Sequence, residues 1–128
     1  MLVLAMIFGV IAVLFHVMAF VLESLFWTRP VVFARFGVAS RSDADITRPM
    51  AYNQGFYNLG LAIGVAVGLV LLPQVDTAGV VGRTLVVFGT ACMALAGAVL
   101  VGTGRKYRRA GSIQFGISAL ALAFTLLA

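Results

Sequence analysis

Residues 51–72, AYNQGFYNLGLAIGVAVGLVLL, form an apolar run long enough to cross a bilayer as one helix. The run opens with three amides and two tyrosines. Behind them lies a row of glycines spaced four residues apart, Gly60, Gly64 and Gly68. On a helix, Asn53, Tyr57 and these glycines fall in one stripe about 80° wide. Because glycine rows let helices approach closely in lipid, we expect this stripe to be the contact face and also the polar face.

The composition is that of a membrane protein. Of 128 residues, 62% are hydrophobic and 10% charged, whereas a soluble domain is about 45–50% apolar and about 25% charged. The apolar runs predict a single all-α domain of four transmembrane helices, at about residues 2–27, 50–72, 83–102 and 109–127, with a polar link over 28–49. Within that link, Pro30–Phe36 is expected to form a short interfacial helix ended by Gly37.

Charge sets the expected orientation. Eight of the nine basic residues lie in the first and third links: Arg29, Arg35, Arg41, Arg48, Arg105, Lys106, Arg108 and Arg109. The positive-inside rule therefore places these two links in the cytoplasm and both termini outside, in a multi-pass protein of the cell (inner) membrane. The net charge of +5 does not indicate a nucleic-acid partner, because the chain has no basic helix face or aromatic platform. The bilayer is the expected surrounding.

Polar side chains of the first, second and fourth helices come at similar depths in the predicted cytoplasmic half. An ionisable group in hydrocarbon normally faces the bundle interior or a wet cavity. The candidate ligand-binding or proton-handling residues are His16, Glu23, Asn53, Gln54, Tyr57, Asn58 and Gln114. Each also has a structural explanation: Glu23 could be bonded to Asn53, His16 could bond a backbone carbonyl, and the amides could join helices. A histidine and a glutamate seven residues apart do not predict a metal site.

The order of these residues is distinctive. His16 is followed after six residues by Glu23 and then by Leu25-Phe26-Trp27, and later come Asn53-Gln54-Gly55-Phe56-Tyr57-Asn58 and Gln114. This pattern resembles domain-of-unknown-function family 1304, small four-helix integral membrane proteins that are loosely similar to the DoxX-type group. The resemblance implies a fold and a polar site but no established activity. Phe15 stands where many relatives carry an acidic residue, so His16 lacks an acidic neighbour in sequence.

Our first functional hypothesis is a protein that binds or isomerises a lipid-soluble small molecule in an intramembrane polar pocket. Glu23 and His16 would exchange protons, while Asn53, Tyr57 and Gln114 would hold a carbonyl or hydroxyl group. The residues indicate no particular substrate or cofactor.

Two other hypotheses stay open. The chain could be an accessory subunit of a larger membrane complex, or a homo-oligomer, that packs through the row Gly60, Gly64 and Gly68. It could also be a small proton-coupled exporter with Glu23 as the proton carrier. The eight-to-one distribution of basic residues between the two sides of the membrane argues against the dual orientation common in such exporters.

Overall fold

Helices account for nearly every residue, and the computed structural model describes the whole chain, Met1 to Ala128, without a strand. The elements in order are α1 (Leu2–Phe20) followed by a π-helical turn (Val21–Leu25), α2 (Pro30–Arg35), α3 (Arg41–Leu71), α4 (Thr77–Thr103), a 3₁₀ turn (Arg105–Tyr107) and α5 (Arg108–Leu126). Four helices, α1 with its π turn, α3, α4 and α5 with the 3₁₀ turn, are long and apolar enough to cross a membrane. The predicted all-α, four-helix membrane fold is confirmed.

The four long helices form a ring in which α1 and α4 occupy opposite corners. Each of these two helices packs against both α3 and α5. Neighbours run antiparallel, so Phe8 near the start of α1 stacks on Phe124 near the end of α5, with ring centroids 5.6 Å apart. The first and third links lie at the same end of the bundle, where Lys106 Nζ donates to the Gly37 carbonyl at 3.3 Å. We call this the link end.

The second spanning helix, α3, begins at Arg41 rather than at about residue 50, so the polar link is shorter than predicted. Ser40 caps the helix, because its Oγ accepts a hydrogen bond from the Asp43 backbone N–H at 3.1 Å. Pro49, directly before the predicted start at about residue 50, lies inside the helix. The proline removes one backbone hydrogen bond from the helix. The helix continues through it because Ala44, on the preceding turns, is fully buried, and this packing holds those turns in place.

The third spanning helix, α4, also begins earlier than predicted, at Thr77 instead of about residue 83. Asp76 provides the cap: its Oδ1 accepts from the Ala78 backbone N–H at 2.9 Å. The remaining boundaries lie close to the predicted ones. α2 ends at Arg35, and Gly37 terminates it as expected, because this residue adopts the left-handed conformation with φ 73° just past the helix end.

The core of the bundle is built from small and medium apolar side chains. The buried members are Ala5, Ala12, Val65, Leu69, Leu72, Val86 and Met93. Between α4 and α5 the backbones themselves approach closely: a Cβ atom on Gly97 would lie 2.6 Å from the Phe115 backbone nitrogen and 3.0 Å from the Gly111 carbonyl oxygen. Such contacts allow dense packing between helices, which matters in lipid because no hydrophobic driving force brings spanning helices together.

The glycine row of α3 meets a neighbouring helix at one position only. A Cβ on Gly68 would lie 2.8 Å from Val86 of α4, whereas Gly60 and Gly64 have nothing within 4 Å. The expectation that the whole stripe faces inward is therefore wrong within a single chain. α3 instead buries a second row of small and apolar residues on nearly the opposite side: Ala51, Gly55, Ala62, Val65 and Leu69.

A second apolar core lies at the link end. It contains Trp27, Val32, Phe33, Ala44 and Ala51, so α2 and the first turns of α3 fold together beneath the bundle. Trp27 Nε1 donates to the Ala44 carbonyl at 3.0 Å. The first link is thus a packed structure, although its charged residues face outward.

Candidate functional site

The acidic side chain in the spanning part of the bundle is held by one amide. Asn58 Nδ2 on α3 donates to Glu23 Oε2 at 2.7 Å, and both residues are half-buried. Asn58 lies on the same side of α3 as Val65 and Leu69, which belong to the bundle core. A carboxyl group in hydrocarbon is costly unless it is paired. The hydrogen bond from Asn58 provides that pairing for Glu23, at the link-end half of the bundle core.

Glu23 lies in the π-helical turn Val21–Leu25, which is closed by the Phe26 backbone N–H donating to the Val21 carbonyl at 3.1 Å. A π turn holds more residues than an α turn, so side chains after Phe20 rotate away from the faces they would occupy on a regular helix. Single π turns are found frequently at functional sites. Here the turn carries Glu23, whose carboxyl group contacts α3.

Close contact between the π turn and α3 fixes the height of the pair. Ser24 Oγ donates to the Tyr52 carbonyl at 2.8 Å. Gly55 lies directly against Ser24, because a Cβ there would overlap the Ser24 hydroxyl and lie 3.1 Å from the Ser24 backbone nitrogen. Gly55 therefore permits this approach. Asn58 follows Gly55 by about one helical turn and so reaches Glu23.

The other polar residues at the start of α3 point elsewhere. Asn53 and Gln54 are exposed, and Tyr57 is 65% exposed on the outer surface of the helix. Gln114 of α5 forms its hydrogen bond at the α4–α5 contact, where its Nε2 donates to the Met93 carbonyl of α4 at 3.1 Å. Of the candidates on α3 and α5, the structure brings only Asn58 to Glu23.

His16 lies deeper and is 1% exposed. Its Nδ1 is 2.9 Å from the Ala12 carbonyl, whereas Nε2 has no protein partner. The Ser118 hydroxyl of α5 is likewise buried without a partner. Because Phe8 stacks on Phe124 in an antiparallel pair, His16 and Ser118 come at nearly the same height. They form a second polar level, about 10 Å from Glu23 along the helix.

The two levels differ in what they can do. The carboxyl and amide groups of Glu23 and Asn58 together offer hydrogen-bond acceptors and a donor to a hydroxyl or carbonyl group, and they are partly accessible. The His16 level is sealed inside the bundle. Nowhere do three His, Cys, Asp or Glu side chains come together in a group that could hold a metal ion.

These features define a class: a small four-helix membrane protein with a carboxyl–amide pair between its first two spanning helices. The chain belongs to the family described as "Protein of unknown function (DUF1304)", whose model matches residues 10–126 and so includes Glu23 and all of α3. The resemblance to domain-of-unknown-function family 1304 is confirmed. None of the curated proteins and none of the solved structures compared matches the chain.

Proposed function

We propose that this protein binds a lipid-soluble small molecule in the link-end half of the bundle, with Glu23 and Asn58 as the polar anchor. The observation that carries the proposal is the 2.7 Å hydrogen bond between these side chains, both only half-buried. Because neither side chain is fully buried, the pair keeps polar surface that a ligand can reach. A ligand with a hydroxyl or carbonyl group would form hydrogen bonds with the donors and acceptors that the pair leaves unused.

Binding requires the pair alone, whereas isomerisation would require a second proton carrier. His16 precedes Glu23 by seven residues, or about 10 Å along the helix, and its Nδ1 is bonded to the Ala12 carbonyl. A proton would therefore need a relay between them. Binding is the function that we propose, and the isomerase reaction stays a prediction.

The test uses the full-length protein purified in mild detergent and analysed by native mass spectrometry for co-purifying small molecules. The wild type is expected to carry a bound molecule, or to gain one from an organic extract of the host membranes. Glu23→Gln and Asn58→Leu are expected to lose it. Gln54→Leu is the matched control, because Gln54 is an exposed amide on the same helix. A wild type that carries and takes up nothing, or equal loss in the control, would refute the proposal.

The orientation is part of the same proposal. We infer from the basic residues that the link end is cytoplasmic and that the protein resides in the inner membrane. Cys92 is the one cysteine of the chain, so a Cys92→Ala background with a new cysteine at Ala39 or Ala128 allows labelling from either side. A reagent that cannot cross the membrane should label intact cells at position 128 and not at position 39.

A second candidate function is supported by the exposed face of α3. Gly60 and Gly64 have open space beside them, and such a row admits another helix in lipid. We therefore retain the hypothesis of an accessory subunit or homo-oligomer that packs through this row. Gly60→Leu and Gly64→Leu should abolish cross-linking to a partner at native expression level while Glu23→Gln preserves it. The exporter hypothesis has no comparable support and stays a prediction from sequence.

A further inference from the structure

We propose that a cleft at the link end binds the phosphate group of an acidic phospholipid through Arg29 and Arg35. The cleft lies between the end of the π turn and α2, on the surface of the bundle. It is separate from the Glu23–Asn58 pair, and the proposal does not depend on the function suggested for that pair.

The cleft combines an apolar wall with two guanidinium groups. It has a volume of about 480 Å³, within the range of small-molecule sites, roughly 300–1,000 Å³. Leu22, Val31 and Val32 contribute apolar surface, and Arg29 and Arg35 contribute the charge. An amphiphile with an anionic head and a hydrocarbon tail matches both surfaces.

Neither arginine is neutralised by an acidic side chain. The ion pair of the molecule joins Arg41 to Asp45. Neither Arg29 nor Arg35 forms an ion pair with a carboxylate. The Arg29 guanidinium lies over the Phe26 ring, 4.0 Å from its centroid. This stacking holds the guanidinium plane and leaves N–H groups at its edge, where phosphate oxygens accept hydrogen bonds in pairs.

The position of the cleft favours a lipid over a free phosphate ion. α2 begins five residues after the last residue of the π turn that completes the first spanning helix, so it lies at the boundary between hydrocarbon and headgroups. Val31 on α2 is 69% exposed. Its exposed side chain beside two arginines offers apolar surface that suits the upper part of an acyl chain. A free anion would make no use of this wall.

The experiment compares two lipids on the full-length protein. Purified protein in detergent is presented with equal amounts of phosphatidylglycerol and phosphatidylcholine of identical acyl chains, and retained lipid is counted by native mass spectrometry. We expect the wild type to prefer phosphatidylglycerol. One basic residue beside an acidic lipid surface changes binding about fivefold, so Arg29→Gln with Arg35→Gln should lower the preference about thirtyfold.

The matched control is Arg105→Gln with Arg109→Gln, which removes the same charge from exposed residues at the same end of the bundle. It should keep most of the preference. Arg29→Lys with Arg35→Lys should retain the charge-dependent part and confirms that folding is intact. If the first double variant does not fold, the two single glutamine variants, each expected to lose about fivefold, give the same test.

Three outcomes would overturn the proposal. The first is a wild type without preference for phosphatidylglycerol. The second is an equal loss in the Arg105 and Arg109 control, which would show general attraction to the basic end. The third is displacement of the lipid by an equal concentration of inorganic phosphate, which would show that the acyl chain and the apolar wall contribute nothing to binding.

Discussion

The two apolar cores of this protein are built from different residues. The buried members of the bundle core are alanine, valine, leucine and one methionine, with Phe124 only partly buried against them, whereas the link core is centred on the buried side chains of Trp27 and Phe33. Other aromatic residues of the spanning helices are exposed: Phe88 is 67% exposed and Phe56 45%. Hydrophobic burial stabilises large side chains only where water is the alternative. Between helices in lipid, close backbone contact and side-chain fit replace it.

This comparison also explains where the polar site is found. The Glu23–Asn58 pair lies between the two cores, where α1 ends in its π turn and α3 passes from the link core into the bundle core. Gly55 provides the close approach typical of the bundle, while Ala51, one turn earlier, is buried in the link core. The pair is thus fixed from both sides.

The strongest test of the bundle core is Gly97→Leu. The new side chain would meet the backbone of α5, since even a Cβ at Gly97 lies 2.6 Å from the Phe115 nitrogen and backbone cannot turn aside. We expect a cost above about 3 kcal/mol and loss of monodisperse protein in size-exclusion chromatography. Gly116→Leu is the control, because nothing lies within 4 Å of its Cβ position. Equal behaviour of both variants would contradict the proposed α4–α5 contact.

Removal of the Trp27 side chain should destabilise the link core without destabilising the bundle core. Trp27→Ala deletes a side chain that is 7% exposed, together with its bond to the Ala44 carbonyl, and should destabilise the link core by about 3 kcal/mol. Hydrogen exchange should accelerate about a hundredfold in α2 and the first turns of α3, while α4 and α5 keep their protection. Acceleration throughout the bundle would show that the two cores unfold as one.

Much of the fold could be predicted from the sequence, because bilayer thickness sets the length of an apolar helix. The start of α3 could not. The apolar run begins near residue 50, but Ser40 provides a cap earlier, and burial of Ala44 beside Trp27 stabilises the added turns. That burial depends on tertiary contacts that the local sequence does not specify.

The sequence also did not show which face of α3 packs against the neighbouring helices. Gly60 and Gly64 form one small-residue row, and Gly55 and Ala62 form another. Helical periodicity cannot decide which row meets a neighbour when both would fit. Glu23 and Asn58 were both candidates from the sequence, but Asn53 was the amide expected to bond Glu23, whereas the structure pairs Glu23 with Asn58.

A smaller effect is expected where the two cores meet. Gly55→Ala would place a methyl group on the Ser24 hydroxyl and force it from the Tyr52 carbonyl, which it contacts at 2.8 Å. We expect a loss of about 1–2 kcal/mol, measured by thermal unfolding in detergent, and weaker binding at the Glu23 site. Gly64→Ala is the control, because its methyl group would enter open space. If both substitutions are neutral, the close approach of the π turn is not required.

The smallest effect is expected for Gln114→Leu on the far side of the bundle. Its amide donates to the Met93 carbonyl at 3.1 Å, and hydrogen bonds between spanning helices contribute about 0.6 kcal/mol. The melting temperature in detergent should therefore fall only slightly, and ligand or lipid retention should match the wild type. Asn58→Leu is the informative partner, since it removes an amide of similar exposure but from Glu23. If Gln114→Leu abolished binding as Asn58→Leu is expected to do, the site would extend to α5, and the pair alone would not suffice as the anchor.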